Sequence, residues 1–309
     1  MYWFVGIALG VAVLIFGTAL VCFLLTFYSP KRRVRGEDEY EIPPGKIYEP
    51  FREELLEWAR KVRAMPCTEM SVTTPDGLVL RGKYYEYDKN AITEILFHGY
   101  RGDAERDLSG AVERCFSIGH NAILVDQRAS GASDGHVITF GIKERYDVLL
   151  WVNEAVRFLG EDARLILSGV SMGAATVMLA SVELLPRNVK GVLADCGYSS
   201  AREIILLVMK RLKAPAFLYP FVRLGARLYG GFDPEASSPM EAMKKCGLPI
   251  LFFHGDKDRF VPHEMTERLY EACTSEKKSF VSVPEAGHGL AFSVAKEAYL
   301  KAVTDFFGE

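Results

Sequence analysis

The sequence predicts an α/β domain: a mostly parallel central sheet with helices on both faces and a helical cap insertion, preceded by one transmembrane helix. Three observations carry this reading. The run Tyr2 to Tyr28 is apolar and uncharged, short apolar strands alternate with longer helical segments from about residue 92, and that rhythm is interrupted between about 199 and 240. The chain divides accordingly into an anchor at 1–29, a juxtamembrane linker and helix at 30–67, and a globular domain at 68–309 with its cap at about 199–240.

The anchor run is dominated by Val, Leu, Ile, Phe, Ala and Gly and is long enough to cross a hydrocarbon core. A cleaved signal peptide would show a basic n-region, a shorter apolar core and a small-x-small site, and none of these is clear. Lys31, Arg32, Arg33 and Arg35 follow the run, whereas only the terminal amine precedes it, so the positive-inside rule places the globular domain in the cytoplasm. Glu37, Asp38, Glu39 and Glu41 weigh little in that rule. The six cysteines, Cys22, Cys67, Cys115, Cys196, Cys246 and Cys273, form no C-x-x-C pair and read as free thiols in a reducing compartment.

The linker carries turn signals at Pro43-Pro44-Gly45 and then an amphipathic helix around Phe51 to Arg63. Two strands at 68–74 and 78–87 flank Pro75-Asp76-Gly77, a turn sequence suited to a hairpin. The alternation then runs strand 92–98, helix 104–118, strand 121–126, helix 141–159, strand 164–170, helix 172–184 and strand 189–195. It resumes after the cap with strand 249–254, helix 262–274, strand 279–284 and helix 290–307. Such alternation builds parallel βαβ units. A chain of 309 residues, 49% hydrophobic, has room for the anchor and one such core. Its net charge of -3 and pI near 6.1 supply no broad basic surface for phosphates, which excludes nucleic acid as a partner and suits a small neutral or mildly polar substrate.

The chemistry is carried by Gly169-Val170-Ser171-Met172-Gly173, which lies between an apolar strand and the helix-favouring Ala174 and Ala175. A nucleophilic serine at this place needs a sharp strand-to-helix turn, which flanking glycines permit because neighbouring chain can approach them closely. The amide of Met172 points to where an oxyanion would form, and the helix starting there adds a favourable dipole. A serine hydroxyl also needs a base, held in the right tautomer by a carboxylate, with both at later strand ends in the order serine, acid, histidine. His288 fits the base, standing between Gly287 and Gly289 after the last strand. Asp256 and Asp258 in the loop after strand 249–254 are candidates for the acid. Of the other histidines, His98 and His254 end strands and are read as orienting local backbone. His120, His136 and His263 are read as solvent-facing or helix-start residues.

At these residues the chain resembles the α/β-hydrolase superfamily, and within it bacterial membrane-tethered hydrolases related to serine aminopeptidases and prolyl-oligopeptidase-type catalytic domains. The resemblance covers about residues 68 to 307. It rests on His98-Gly99-Tyr100, Asp126-Gln127-Arg128 with Gly131, Ser133 and Gly135, Gly169 to Gly173, His254-Gly255 through Asp258 to Val261-Pro262, and Gly287-His288-Gly289. It implies Asp258 as the acid, with Asp256 and, because some relatives supply the acid from the earlier strand, Asp195 after strand 189–195 as rivals, and the backbone amide of Tyr100 as the second oxyanion donor beside that of Met172. Asp126, Arg128 and Ser133 are expected to form a hydrogen-bonded turn beneath the site, and Asp195 to shape the loop entering the cap.

The cap combines Ile204, Leu206, Leu207, Met209, Phe217 and Leu224 with basic Lys210, Arg211, Lys213, Arg223 and Arg227, a composition suited to amphipathic helices over an apolar pocket. The expected activity is hydrolysis of a carboxylic ester or thioester of a small acyl or aryl substrate. A membrane-bound peptidase or acyl-peptide hydrolase is the alternative among enzymes, and an inactive hydrolase-fold scaffold is the alternative outside them. The expected partners are the acyl substrate and, through the N-terminal helix, a membrane. No cofactor is implied, and no metal, since Asp256 and Asp258 lack histidine ligands at suitable spacing.

Overall fold

In the computed structural model, which describes residues 2–30, 36 and 38–308, the apolar run forms one helix, α1 (Tyr2–Thr26). Its length and composition would let it cross a membrane, and most of its surface stays outside the protein core. The basic flank Lys31, Arg32, Arg33 and Arg35, on which the expected orientation rests, lies outside the described residues, as does Glu37. After a 3-10 turn at Glu49–Phe51 comes α2 (Arg52–Ala64), whose Leu56, Trp58, Ala59 and Val62 are buried at helical spacing.

The hairpin β1 (Thr68–Thr73) and β2 (Val79–Tyr85) opens the sheet, followed by β3 (Thr93–Phe97), α3 (Ala104–Ser117), β4 (Asn121–Val125), α4 (Glu144–Leu159), β5 (Leu165–Val170), α5 (Met172–Ala180) and β6 (Val189–Asp195). Between β6 and β7 lie α6 (Ala201–Arg211), α7 (Tyr219–Tyr229) and the short α8 (Pro239–Met243). The chain closes with β7 (Ile250–Gly255), α9 (His263–Ala272), β8 (Lys278–Val283), α10 (Ala291–Val294) and α11 (Lys296–Phe307).

Eight strands form one sheet in the order β1-β2-β4-β3-β5-β6-β7-β8. β1 and β2 pair antiparallel, β2 lies antiparallel to β4, and every pairing from β4 onward is parallel. Because side chains alternate along a strand, each central strand feeds two cores. Ile95, Phe97, Leu165, Leu167, Phe252 and Val192 face a cluster closed by Trp151, Val177 and Leu269 from α4, α5 and α9. Leu96 and Leu124 face α2 and α3, while Ile166, Leu193 and Phe253 face α11 through Tyr299, Val303 and Phe306.

Three expected helices begin, end or run differently; the one expected at 172–184 ends at Ala180. The helix expected at 141–159 starts at Glu144, because its carboxylate accepts from the amides of Thr139 (2.7 Å) and Gly141 (2.9 Å) and from the Thr139 hydroxyl, folding 139–143 into a turn. The helix expected at 290–307 is broken at Ala295 (φ -134°, ψ 54°) into α10 and α11.

The end of α1 is part of the protein interior. Ala19, Phe23 and Phe27 are buried and join one apolar cluster with Ile204, Ile205 and Met209 of α6, Val222 and Ala226 of α7, and Met172. The Phe27 ring packs edge-on against Phe140 and Phe232, at 5.7 and 5.1 Å. α1 and α7 approach closely because Gly225 has no side chain: a Cβ there would stand 2.3 Å from the carbonyl oxygen of Ala19 and 3.0 Å from Cβ of Phe23. Gly225→Ala is expected to cost about 1–3 kcal/mol by overpacking. That should lower the thermal midpoint of the detergent-solubilised protein by roughly 2–10 °C. Gly247→Ala, at a position open on all sides, should leave the midpoint unchanged.

Candidate active site

β5 ends at Val170, and the chain turns through Ser171 (φ 56°, ψ -114°) directly into α5. Such a backbone is strained for any residue with a Cβ, at a cost of about 1–3 kcal/mol, and persists only where its surroundings over-determine it. Here the two glycines do so. A Cβ on Gly169 would lie 2.3 Å from the backbone of Gly173, and one on Gly173 would lie 1.9 Å from the carbonyl oxygen of Phe97 at the end of β3. The turn is closed further by the amide of Ser171 donating to the carbonyl of Asp195 at 2.8 Å.

The structure brings Ser171, His288 and Asp258 together from positions far apart in the chain. Nε2 of His288 lies 2.9 Å from Oγ of Ser171, and Nδ1 of His288 lies 2.6 Å from Oδ2 of Asp258. An ionised carboxylate only accepts, so Nδ1 carries the ring proton and Nε2 is left to accept from the serine hydroxyl. The ring of Phe260 stands 5.0 Å from that of His288. Ser171 and His288 are 7% and 9% exposed, so the site is nearly closed to solvent.

Asp258 is held from several sides. The amides of Phe260 and Val261 donate to Oδ1 at 2.7 and 2.9 Å, and Nε2 of His254 lies 3.1 Å from Oδ2. Burial disfavours the charge on Asp258, but its hydrogen bonds and electrostatic interactions with His254 and His288 outweigh it and hold the carboxyl well below the usual carboxylate range. The expectation that His254 only orients backbone is thus corrected. Its Nε2 also reaches the carbonyl of Val261 at 3.0 Å, and its Nδ1 the hydroxyl of Thr266 at 2.7 Å, so its side chain anchors the acid.

The other two candidate carboxylates make different contacts. Asp256 accepts from the amide of Glu285 at 2.7 Å and ties two loops together. Asp195 does not shape the loop into the following helix through its carboxylate, which instead accepts from the hydroxyl of Tyr299 on α11 at 3.0 Å, and burial pushes its pKa up. His120 is buried rather than solvent-facing, with Nδ1 3.0 Å from Glu94, which also takes a two-pronged ion pair from Arg114 at 2.9 and 2.6 Å. The segment after β4 forms the expected hydrogen-bonded turn. Asp126 accepts from the amides of Ala104 and Ala132, Ser133 donates to the carbonyl of Asp126, and Arg128 pairs with Asp147 and Asp76.

The loop His98-Gly99-Tyr100 lies against the serine: a Cβ on Gly99 would stand 3.6 Å from Cβ of Ser171. It is stitched in place by Gln127, whose amide donates to Nε2 of His98 and whose side chain donates to the His98 carbonyl, and by Asp107, which accepts from the amide of Gly99. Beyond it, the Tyr100 hydroxyl donates to the carbonyl of Thr26 at 2.7 Å, and Arg101 donates to those of Leu25 and Tyr28, both at 3.0 Å. The loop that flanks the serine therefore caps the end of α1. Tyr48, from the linker, donates to the backbone carbonyl of His288 at 3.0 Å, a contact that sequence reasoning missed.

Ligand atoms of Cys196, Asp258 and His288 come within 4.8 Å of one another. They do not fit a metal site: Asp258 and His288 are engaged with each other, and burial pushes the Cys196 thiol well up, so it stays protonated.

A family model described as serine aminopeptidase, S33, matches residues 235–293. The chain is 24% identical to YqkD of Bacillus subtilis over 244 residues, covering 78% of this chain and 79% of that one. It is 23% identical to the bem46 protein of Schizosaccharomyces pombe over 248 residues, covering 78% and 75%. Among solved structures it superposes on an esterase of Pyrococcus furiosus with a TM-score of 0.67 at 22% identity, covering 90% of this chain and 97% of that one. For Est1E of Butyrivibrio proteoclasticus, solved with ferulic acid bound, the TM-score is 0.60 at 19% identity, covering 78% and 100%. The chain has the α/β-hydrolase fold.

The state of Asp258 can be tested through pH. Since its pKa falls on folding, the charged acid contributes stability above its ordinary value and loses that contribution as pH falls through the lower folded value. The gap in thermal midpoint between native protein and Asp258→Asn should stay constant from about pH 8 to about pH 5 and narrow below about pH 4. A gap that widens toward acid would contradict the assignment.

Proposed function

We propose that the protein is a serine hydrolase that cleaves a carboxylic ester or thioester through an acyl-enzyme. The observation that carries this reading is the continuous relay from Ser171 through His288 to Asp258 at 2.9 and 2.6 Å. Ser171 Oγ attacks the carbonyl carbon while its proton passes to Nε2 of His288, and Asp258 stabilises the imidazolium that results. The amides of Met172 and Tyr100 hold the developing oxyanion; losing one such donor typically costs about 100- to 1000-fold in rate. Collapse expels the alcohol or thiol, which takes the proton back from His288. Water, activated by the same histidine, then attacks the acyl-enzyme and releases the acid and free Ser171.

Two likenesses bear on the substrate. Esterases are among the proteins of similar fold, and the apolar surroundings of the serine, with Met172, Phe140 and Tyr198 in one cluster, suit an acyl or aryl group. The aminopeptidase family model favours a second reading, hydrolysis of a peptide or acyl-peptide bond. Comparing turnover of p-nitrophenyl esters with that of aminoacyl p-nitroanilides separates them, with ester turnover expected to dominate.

We further propose that α1 is a retained membrane anchor with the catalytic domain on the cytoplasmic side, from the basic run Lys31 to Arg35. Retention is supported by packing: removing α1 as a cleaved signal would strip buried Ala19 and Phe23 from the interior.

A fluorophosphonate probe is expected to label the native, detergent-solubilised protein and to label neither Ser171→Ala nor His288→Ala, with esterase turnover falling by roughly 10⁴-fold or more in both. A folded native protein that takes no label would remove this reading in favour of an inactive scaffold.

A further inference from the structure

α1 stands clear of the rest of the protein over only part of its length, and α7 packs along the remainder. At the far end of α7, the Tyr229 hydroxyl donates to the carbonyl of Phe16 at 3.1 Å and its ring lies 5.8 Å from that of Phe23; Gly225, one turn earlier, meets Ala19. α7 therefore runs antiparallel to α1 from Phe16 toward its C-terminal end, leaving residues 2–15 beyond it. At 1.5 Å per residue that stretch measures about 21 Å. The exposed face of α7 is therefore continuous with the exposed apolar surface of α1.

The side chains exposed on this segment are those a bilayer boundary accepts. Leu228 and Tyr229 are about half exposed at the deeper end, while Leu212 and Phe217, nearer the end of α1, are 74% and 72% exposed. Lys210, Arg211 and Lys213 flank Leu212, within reach of lipid phosphates. Arg223 and Arg227, which lie along α7 itself, are neutralised by Asp233, and Arg223 also by Glu235. The surface reaches the site at Phe260, which packs on His288 and whose carbonyl accepts from Arg211 at 2.7 Å.

Resting on the reading of α1 as a membrane span, we infer that the α6–α7 segment is a membrane-contact surface. Its α7 end enters the near leaflet beside α1 to about 5–10 Å, the depth at which interfacial helices lie. The occupant of this surface is the phospholipid bilayer.

Depth-dependent fluorescence quenching tests it on the full chain. Single reporter cysteines replace Leu228, Val13 or Leu184 in a background with Cys22→Ala and Cys67→Ser, and carry a small fluorophore. Each protein is reconstituted in phosphatidylcholine–phosphatidylglycerol vesicles containing nitroxides at shallow or deep acyl positions, and probe labelling of Ser171 verifies folding. Leu184 is almost fully exposed in the turn after α5, at the opposite end of the sheet, and serves as the aqueous reference. The expected result is several-fold stronger quenching at Leu228 than at Leu184, greatest with shallow nitroxides, and quenching of Val13 by deep ones. Quenching at Leu228 no greater than at Leu184, with Val13 still quenched, would overturn the inference and leave the span intact. Absence of quenching at Val13 would remove the span and the inference together.

Discussion

The close approach of α5 to the ends of β3 and β5 is the constraint from which the site follows. Gly173 leaves room for the carbonyl of Phe97, and Gly169 for the backbone of Gly173, so the helix can start one residue after the strand stops. That forces Ser171 into its strained conformation and lifts its hydroxyl off the sheet. Phe97 is also the last residue before His98-Gly99-Tyr100, so the same contact sets the distance between the serine and the loop beside it. The order β4-β3-β5-β6-β7 then places the ends of β7 and β8, with Asp258 and His288, alongside.

Around this turn, the side-chain polar atoms of Ser171, His288 and Asp258 are all hydrogen-bonded. Asp258 is bonded by two backbone amides and two imidazoles, and its charge is held despite burial. His254 contributes a ring fixed at both nitrogens, and His288 bridges Asp258 and Ser171. A buried carboxylate bonded in this way resists protonation and does not drift toward neighbouring apolar surface, which is what an orienting acid requires.

Much of this was legible in the sequence because the signals are local. Strands that feed two cores read as continuous apolar runs, and Gly169 to Gly173 and Gly287 to Gly289 mark turns by composition. The contacts that stayed hidden join residues distant in the chain or of ambiguous chemistry. Tyr48 bonds the backbone of His288 across 240 positions from a linker with no periodic pattern. His120 looks like a turn histidine until Glu94 and Arg114 are seen to bury it. The start of α4 at Glu144 depends on a carboxylate reaching backward to Thr139, which helical periodicity does not encode. α1 is apolar on all sides, so nothing in its composition separates the face with Ala19 and Phe23 from the rest.

The bonds from Tyr100 and Arg101 to the last carbonyls of α1 change what the N-terminal helix is. A helix end normally gives those oxygens to water. Here they accept from side chains of the folded domain, and Gly225 leaves room for the backbone of Ala19. The helix is therefore not an exchangeable leash. Swapping in another hydrophobic segment of equal length would lose the fit, and trimming the chain after the apolar run would bare a seam of α7. In packing terms, the folded domain begins inside α1, at about Phe16.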